Sequence, residues 1–112
     1  MPIHVVEDID EYEELLDDNG KLAIFFTDNK SVKCREYGKL FIQLSHIYKD
    51  IKFLYVSQLV ESTNYIFFEN RIFSLPKLKI ICDGEECNHY EETAKDNLEH
   101  EITALHEKAI EI

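Results

Sequence analysis

With 112 residues, seven Phe and six Tyr among them, the chain has room for one domain with a substantial core; 45% hydrophobic content with three Gly and two Pro excludes a disordered composition. Twelve Lys and Arg against 23 Asp and Glu leave a net charge of −11, which opposes a general nucleic-acid or anionic-membrane binder, since both need a positive field. No apolar run approaches the ~20 residues of a membrane span, residues 1–10 lack the basic flank and apolar stretch of a secretory signal, and an odd count of three cysteines makes no secreted disulfide framework. A soluble cytosolic or nuclear protein is expected.

The elements follow in chain order. His4-Val5-Val6 is a short apolar start. Ile9, Tyr12, Leu15 and Leu16 recur at helical spacing behind acidic residues in the first turn, where the helix dipole favours them, and Asn19-Gly20 stops that helix. Residues 22–26 are apolar without alternation, as in a strand covered on both faces, and Thr27-Asp28-Asn29 is turn chemistry. Ser31 suits the N-cap of a second helix, whose stripe runs through Cys34, Tyr37, Phe41, Leu44 and Tyr48 and is widened by Leu40 and Ile47. Residues 52–56 form a second buried strand, and 60–70 read as helical. Strands over 77–82 and 87–91 flank Asp83-Gly84, a strong short hairpin signal. Leu98, Ile102, Leu105 and Ala109 mark a closing amphipathic helix. The order is β-α-β-α-β-α-β-β-α. No linker or repeat interrupts it, so residues 1–112 are read as a single domain. Strands separated by helices imply parallel pairing, and the hairpin adds antiparallel strands at the edge.

Charge is distributed unevenly along this order. Residues 1–20 hold eight acidic and no basic side chains, a charge of −8. Residues 21–52 hold seven basic against three acidic, +4, and residues 53–112 five basic against twelve acidic, −7. Within the basic stretch, Lys30, Lys33 and Arg35 gather at the start of the second helix, where the dipole is also positive. They form a candidate binding patch for an acidic or C-terminal carboxylate segment of a partner.

This element order, with Cys34 early in the second helix and Pro76 opening the hairpin, resembles the thioredoxin fold over residues 4–110. Thioredoxins carry a Trp-Cys-Gly-Pro-Cys-Arg motif after an apolar strand. Here Cys34-Arg35 falls where the second Cys and its Arg would be, and Lys52-Phe53-Leu54 follows at the family's interval. Ser74-Leu75-Pro76 matches the cis-proline loop beside the substrate groove, and Asp83-Gly84 the hairpin turn. The resemblance implies an α/β architecture: a central mixed sheet of four to five strands, helices on both faces, and a cis bond at Pro76.

The motif itself departs from the family. It reads Ser31-Val32-Lys33-Cys34, with Ser31 in place of the attacking Cys. Thiol–disulfide exchange needs a thiolate to attack and a second thiol to resolve the mixed disulfide, and a serine hydroxyl does neither. Lys30 stands where the family has Trp, Phe25 where it has a buried proton-handling acid, and Glu92 where it usually has a Gly beside the groove. These losses imply a redox-inactive protein-binding module rather than an enzyme. The alternative is an atypical monothiol oxidoreductase acting through Cys34, whose thiolate Lys33, Arg35 and the helix N-terminus would favour.

Two groups resembling thioredoxin lose the first Cys and keep the second. One is the domain preceding the glutaredoxin modules of monothiol glutaredoxins, which usually keeps the Trp. The other is the phosducin-like group, including thioredoxin-domain relatives that bind the cytosolic chaperonin. Phe25-Phe26-Thr27-Asp28-Asn29-Lys30-Ser31-Val32-Lys33-Cys34-Arg35 is similar to that group's passage from an apolar strand through a polar loop without Trp to Cys-Lys/Arg. Residues 43–54 resemble its helix-to-strand passage. A monomeric cytoplasmic protein without cofactor is expected, and this likeness makes the chaperonin a candidate partner.

Other chemistry is sparse. If Asp83-Gly84 is a two-residue turn, Cys82 opposes Glu85 and Cys87 opposes Ile80, leaving the sulfurs diagonal and too far apart to pair. A four-residue loop would set them opposite each other. Cys82, Cys87 and His89 match no common zinc spacing, so no metal is expected. The acidic run over 7–18 lacks the EF-hand order, and His4, His46, His100 and His106 are scattered.

Overall fold

The computed structural model describes residues 3–17 and 20–108. Strand β1 (Ile3–Val5) leads into helix α1 (Ile9–Leu16), where the Asp8 carboxylate accepts the Glu11 amide at 2.8 Å and Glu11 in turn accepts the Glu7 amide at 2.8 Å. The first bond satisfies an amide that the helix start would otherwise orphan, and the second ties the entering chain to the first turn. There follow β2 (Lys21–Thr27), α2 (Val32–Ile47), β3 (Lys52–Ser57), a 3₁₀ turn over Glu61–Thr63, α3 (Asn64–Glu69), β4 (Lys77–Cys82), β5 (Glu85–Glu86) and α4 (Lys95–Glu107). Asn19 and Ala109, expected at two helix ends, lie outside the described residues. No helix among those described is long and apolar enough to cross a membrane.

The five strands form one mixed sheet in the order β1-β3-β2-β4-β5. β1, β3 and β2 run parallel, and β4 and β5 are antiparallel. Central β2 is buried from Leu22 to Thr27 because both its faces are covered. Ala23 and Phe25 point into a core shared with Phe41 and Leu44 of α2 and Leu98, Ile102 and Leu105 of α4. Leu22, Ile24 and Phe26 point into the other core, with Tyr12 of α1 and Ile66 and Phe67 of α3. Helices therefore cover both faces, and the absence of alternation in β2 is a direct signature of that. The Leu75–Pro76 bond is cis, as the resemblance implies.

Two expectations are corrected. Ile47 does not widen the buried stripe of α2; it is 64% exposed. At about 100° per residue it lies roughly 120° round from Phe41, off the face that meets the sheet. The expected strand over 87–91 shrinks to β5, Glu85–Glu86. Beyond one further bond from the Cys87 amide to the Ile80 carbonyl at 2.9 Å, side chains take over the edge of β4. Asn88 Oδ1 accepts the Ile80 amide (2.7 Å), its Nδ2 donates to the Leu78 carbonyl (2.9 Å), and Thr93 Oγ1 accepts the Leu78 amide (2.9 Å). With those groups satisfied, no backbone ladder is left to form.

The hairpin turn is the two-residue form. Asp83 and Gly84 both have positive φ, 52° and 85°, the requirement for a tight turn whose twist matches the strands. Cys82 thus faces Glu85 and Cys87 faces Ile80, and all three cysteines are free. Burial raises the Cys87 thiol pKa above its ordinary value. Among the described residues no group of three His, Cys, Asp or Glu side chains is placed to hold a metal ion.

At the start of β2, near the C-terminal end of α2, the Lys21 ammonium, with only 8% of its side chain exposed, donates to Asp50 Oδ2 (2.9 Å) and to the His106 carbonyl (2.6 Å). His106 Nδ1 lies 2.7 Å from Asp50 Oδ1. Burial pushes the Asp50 carboxyl up, but the bonds from Lys21 and His106 outweigh it and hold the pKa below its ordinary value. The sign for stability follows. A depressed folded pKa contributes stability above the unfolded value of about 3.9, and that contribution is lost as pH falls through the folded value. Wild type is therefore expected to exceed Asp50→Asn in stability at pH 6, with the gap closing as pH falls below about 4. Urea unfolding at several pH values measures it; a constant gap would mean that the ion pair contributes nothing through its charge.

Candidate functional site at the start of the second helix

β2 and β3 end side by side, Thr27 paired with Ser57, and the Gln58 amide donates to the Thr27 carbonyl at 2.8 Å. On the other side of β2, Phe26 pairs with Lys77, so Pro76 stands level with Thr27. The strand ends, the loop into α2 and the Pro76 loop therefore meet at one edge of the sheet. In open α/β sheets this carboxyl edge is where ligands are received.

Asp28 Oδ1 accepts the amides of Lys30 (2.8 Å) and Ser31 (3.2 Å), closing an Asx turn. Ser31 Oγ then accepts the Cys34 amide at 3.1 Å, as an N-cap should. The Lys30 amide above all holds the Asp28 carboxyl below its ordinary pKa; the Ser31 amide and the Cys34 thiol add to this against burial. The Ser31 hydroxyl is thus engaged as a cap.

Asn29, with φ of 59°, occupies the left-handed region that Asn tolerates. Its amide donates to Thr27 Oγ1 (3.1 Å), its Nδ2 to Ser57 Oγ (3.2 Å), and its Oδ1 accepts the Tyr55 hydroxyl. Burial raises the Tyr55 pKa despite bonds to Thr27 and Asn29. Tyr55 is the register partner of Phe25, and the two rings lie 5.9 Å apart. Phe25 also stacks on Phe41 at 5.1 Å. The floor beneath α2 is therefore aromatic, and burial keeps the Tyr55 hydroxyl neutral.

Of the residues singled out from sequence, Lys30, Ser31, Val32, Lys33 and Arg35 are exposed, and Cys34 is fully buried. The Lys33 ammonium stands 5.6 Å above the Tyr37 ring. Ser74 is exposed, Leu75 partly so, and Pro76 buried. Among the described residues no hydrogen bond reaches the backbone of Ser74 or Leu75. Glu92 is exposed beside Thr93, which is tied to Leu78, two residues past Pro76. The sequence reading missed Tyr55 and Asn29. Their signals were present: a tyrosine in a buried strand needs a partner for its hydroxyl, and an Asp-Asn pair ahead of an N-cap is apt to bond its own backbone.

No family profile and no curated protein matches the sequence. Solved structures do match the backbone. Thioredoxin O1 of Arabidopsis thaliana superposes with a TM-score of 0.83 at 17% identity, over 93% of this chain and 97% of that one. The thioredoxin of Trypanosoma brucei brucei gives 0.81 at 14% identity, over 95% and 92%. The chain has the thioredoxin fold. Mitochondrial thioredoxin 3 of Saccharomyces cerevisiae is similar at 22% identity, with a TM-score of 0.79 over 92% of this chain and 95% of that one. The edge of this fold is built from Asp28, Ser31, Cys34 and the Pro76 loop. Here it presents cations above an aromatic floor, with its one sulfur enclosed.

Proposed function

We propose that this chain is a redox-inactive thioredoxin-fold module that binds a protein. The partner lays an extended segment along the exposed backbone of Ser74 and Leu75, and a carboxylate of that segment is drawn to Lys30, Lys33 and Arg35. The observation that carries the reading is the state of the motif: Cys34 has no exposed surface and Ser31 is consumed as a helix cap. Strand addition needs only free backbone groups and no thiol. The side-chain cations of Lys30 and Arg35 have no hydrogen bond or ion pair among the described residues, so both remain available to a ligand. The likeness of residues 25–35 and 43–54 to the phosducin-like group favours the cytosolic chaperonin as the partner to test first.

The test has two arms. The native protein should leave an insulin-type disulfide unreduced and its Cys34 unlabelled by a thiol reagent, and Ser31→Cys should restore little, because Phe25 cannot handle the proton and Lys30 alters the groove wall. Robust turnover, or rapid labelling of native Cys34, would instead establish the monothiol oxidoreductase. In the second arm, purified chaperonin is titrated with wild type and with Lys30→Glu/Lys33→Glu at low and high salt. Association should slow about tenfold on charge reversal and with rising salt, as the Debye length falls from about 10 Å at 0.1 M to 3 Å at 1 M. Equal, salt-independent rates would remove the patch from the account.

A further inference from the structure

Three large aromatic side chains stand in water near the far side of the Pro76 loop. Tyr65, Phe68 and Phe73 are 62%, 77% and 88% exposed. With Glu69 and Arg71 they line one open groove of about 560 Å³. Single exposed apolar residues are ordinary on a protein surface. Three aromatics around an arginine in one groove are the composition of an interface centre, where aromatic residues and Arg are enriched.

Arg71 supplies the second observation. Helix α3 ends in a closed turn: the Arg71 amide donates to the Phe68 carbonyl (3.1 Å) and the Ile72 amide to the Phe67 carbonyl (3.0 Å). The residue that makes this closure adopts a left-handed backbone and is usually Gly. Here it is Arg71, at φ 53°, which costs stability that a glycine would not. Its guanidinium has no hydrogen bond or ion pair among the described residues, so no polar contact within them offsets that cost. An adjoining groove of about 320 Å³ shares Arg71 and Phe73 and adds Lys77 and Lys79 against Glu86. On a chain of net charge −11, cations outnumber acids at this place.

We propose that this groove docks a protein segment presenting a large apolar side chain beside a carboxylate, the apolar group between Phe68 and Phe73 and the carboxylate on Arg71. A charge-assisted fork from a guanidinium to a carboxylate fixes orientation as well as affinity, and a non-glycine at the helix closure is retained for it. The site is distinct from the Lys30–Lys33–Arg35 edge and does not depend on it. A partner spanning both would pass the Pro76 loop.

Selection of phage-displayed random dodecapeptides on the whole protein tests this. Enriched sequences should carry a large apolar residue within a few positions of Asp or Glu. The best synthetic peptide should bind about tenfold more weakly to Arg71→Glu and to Phe73→Ser, and unchanged to Lys30→Glu/Lys33→Glu. Arg71→Gly should lose the same affinity while raising Tm by about 2–5 °C, which a purely structural role for Arg71 would not produce. Basic or absent consensus, or binding indifferent to Arg71 and Phe73, overturns the proposal. So does an unchanged or lowered Tm for Arg71→Gly. A wild-type dimer in sedimentation that Phe73→Ser converts to monomer assigns the groove to a second copy of the chain and overturns the stated occupant. Loss of peptide binding on Lys30→Glu/Lys33→Glu alone would move the site to the Pro76 edge.

Discussion

Phe25→Ala is expected to cost about 3–5 kcal/mol of folding stability, the usual range for deleting a buried phenylalanine. Phe25 has no exposed surface, stacks on Phe41 at 5.1 Å and tilts against Tyr55 at 5.9 Å, while Phe41 packs edge-on to Phe53 at 5.1 Å. Its ring is the contact through which α2 rests on the centre of the sheet, so removal leaves a cavity that no flexible neighbour can fill. Urea unfolding followed by circular dichroism measures the loss. The same variant bears on function, because Cys34 is enclosed only while α2 stays packed on the sheet. Thiol labelling of Cys34 should accelerate along with the loss of stability. A cost under about 1.5 kcal/mol would mean that α2 settles onto the strand, and that the aromatic floor is not the rigid element described.

The second large effect belongs to Glu101. This carboxylate is 2% exposed on α4, yet it is fully partnered: both oxygens accept the His89 amide, at 2.7 and 2.9 Å, and Oε1 lies 2.7 Å from His89 Nδ1. It pins the irregular segment after β5 to the last helix. Glu101→Ala strands the His89 amide and opens a void, and should cost about 2–4 kcal/mol. Glu101→Gln keeps one acceptor and should cost about half as much. Hydrogen exchange at the His89 amide separates this from a general weakening. Protection should fall there first in both variants, while the amides of β2 follow global stability. Unchanged protection at His89 would assign the loss to packing alone.

How much of this was legible beforehand depends on the range of each interaction. The element order was, because it rests on local periodicity: the unbroken apolar run of β2, the stripe through Cys34, Phe41 and Leu44, and the Asp83-Gly84 turn all signal within a few residues. Ser31 was legible as a cap for the same reason. Ile47 was misread because a stripe drawn from apolar spacing alone cannot say where the covered face ends. The strand over 87–91 was misread because Asn88 and Thr93 bond to β4 through side chains, and Glu101, reaching from α4, takes the His89 amide. Those partners are up to fifteen residues away in the chain, and no periodicity records them.

By itself, then, the sequence determined the mixed α/β order and the turn and cap chemistry, since each is set by residue type and short spacing. Tertiary structure decided the rest. It separated the basic residues of 21–52, sending Lys30, Lys33 and Arg35 to the Pro76 edge and Lys21, Lys49 and Lys52 to the opposite end of the strands, because β2 carries its two ends apart. It buried Cys34 while leaving Val32 and Lys33 exposed, because the first turn of α2 meets the sheet with one face only. It also brought Phe68, Arg71 and Phe73 around one groove, because the closure of α3 turns the chain back on itself at Arg71. Burial and juxtaposition are properties of packed faces, and only the packing of α1, α2, α3 and α4 on this sheet assigns them.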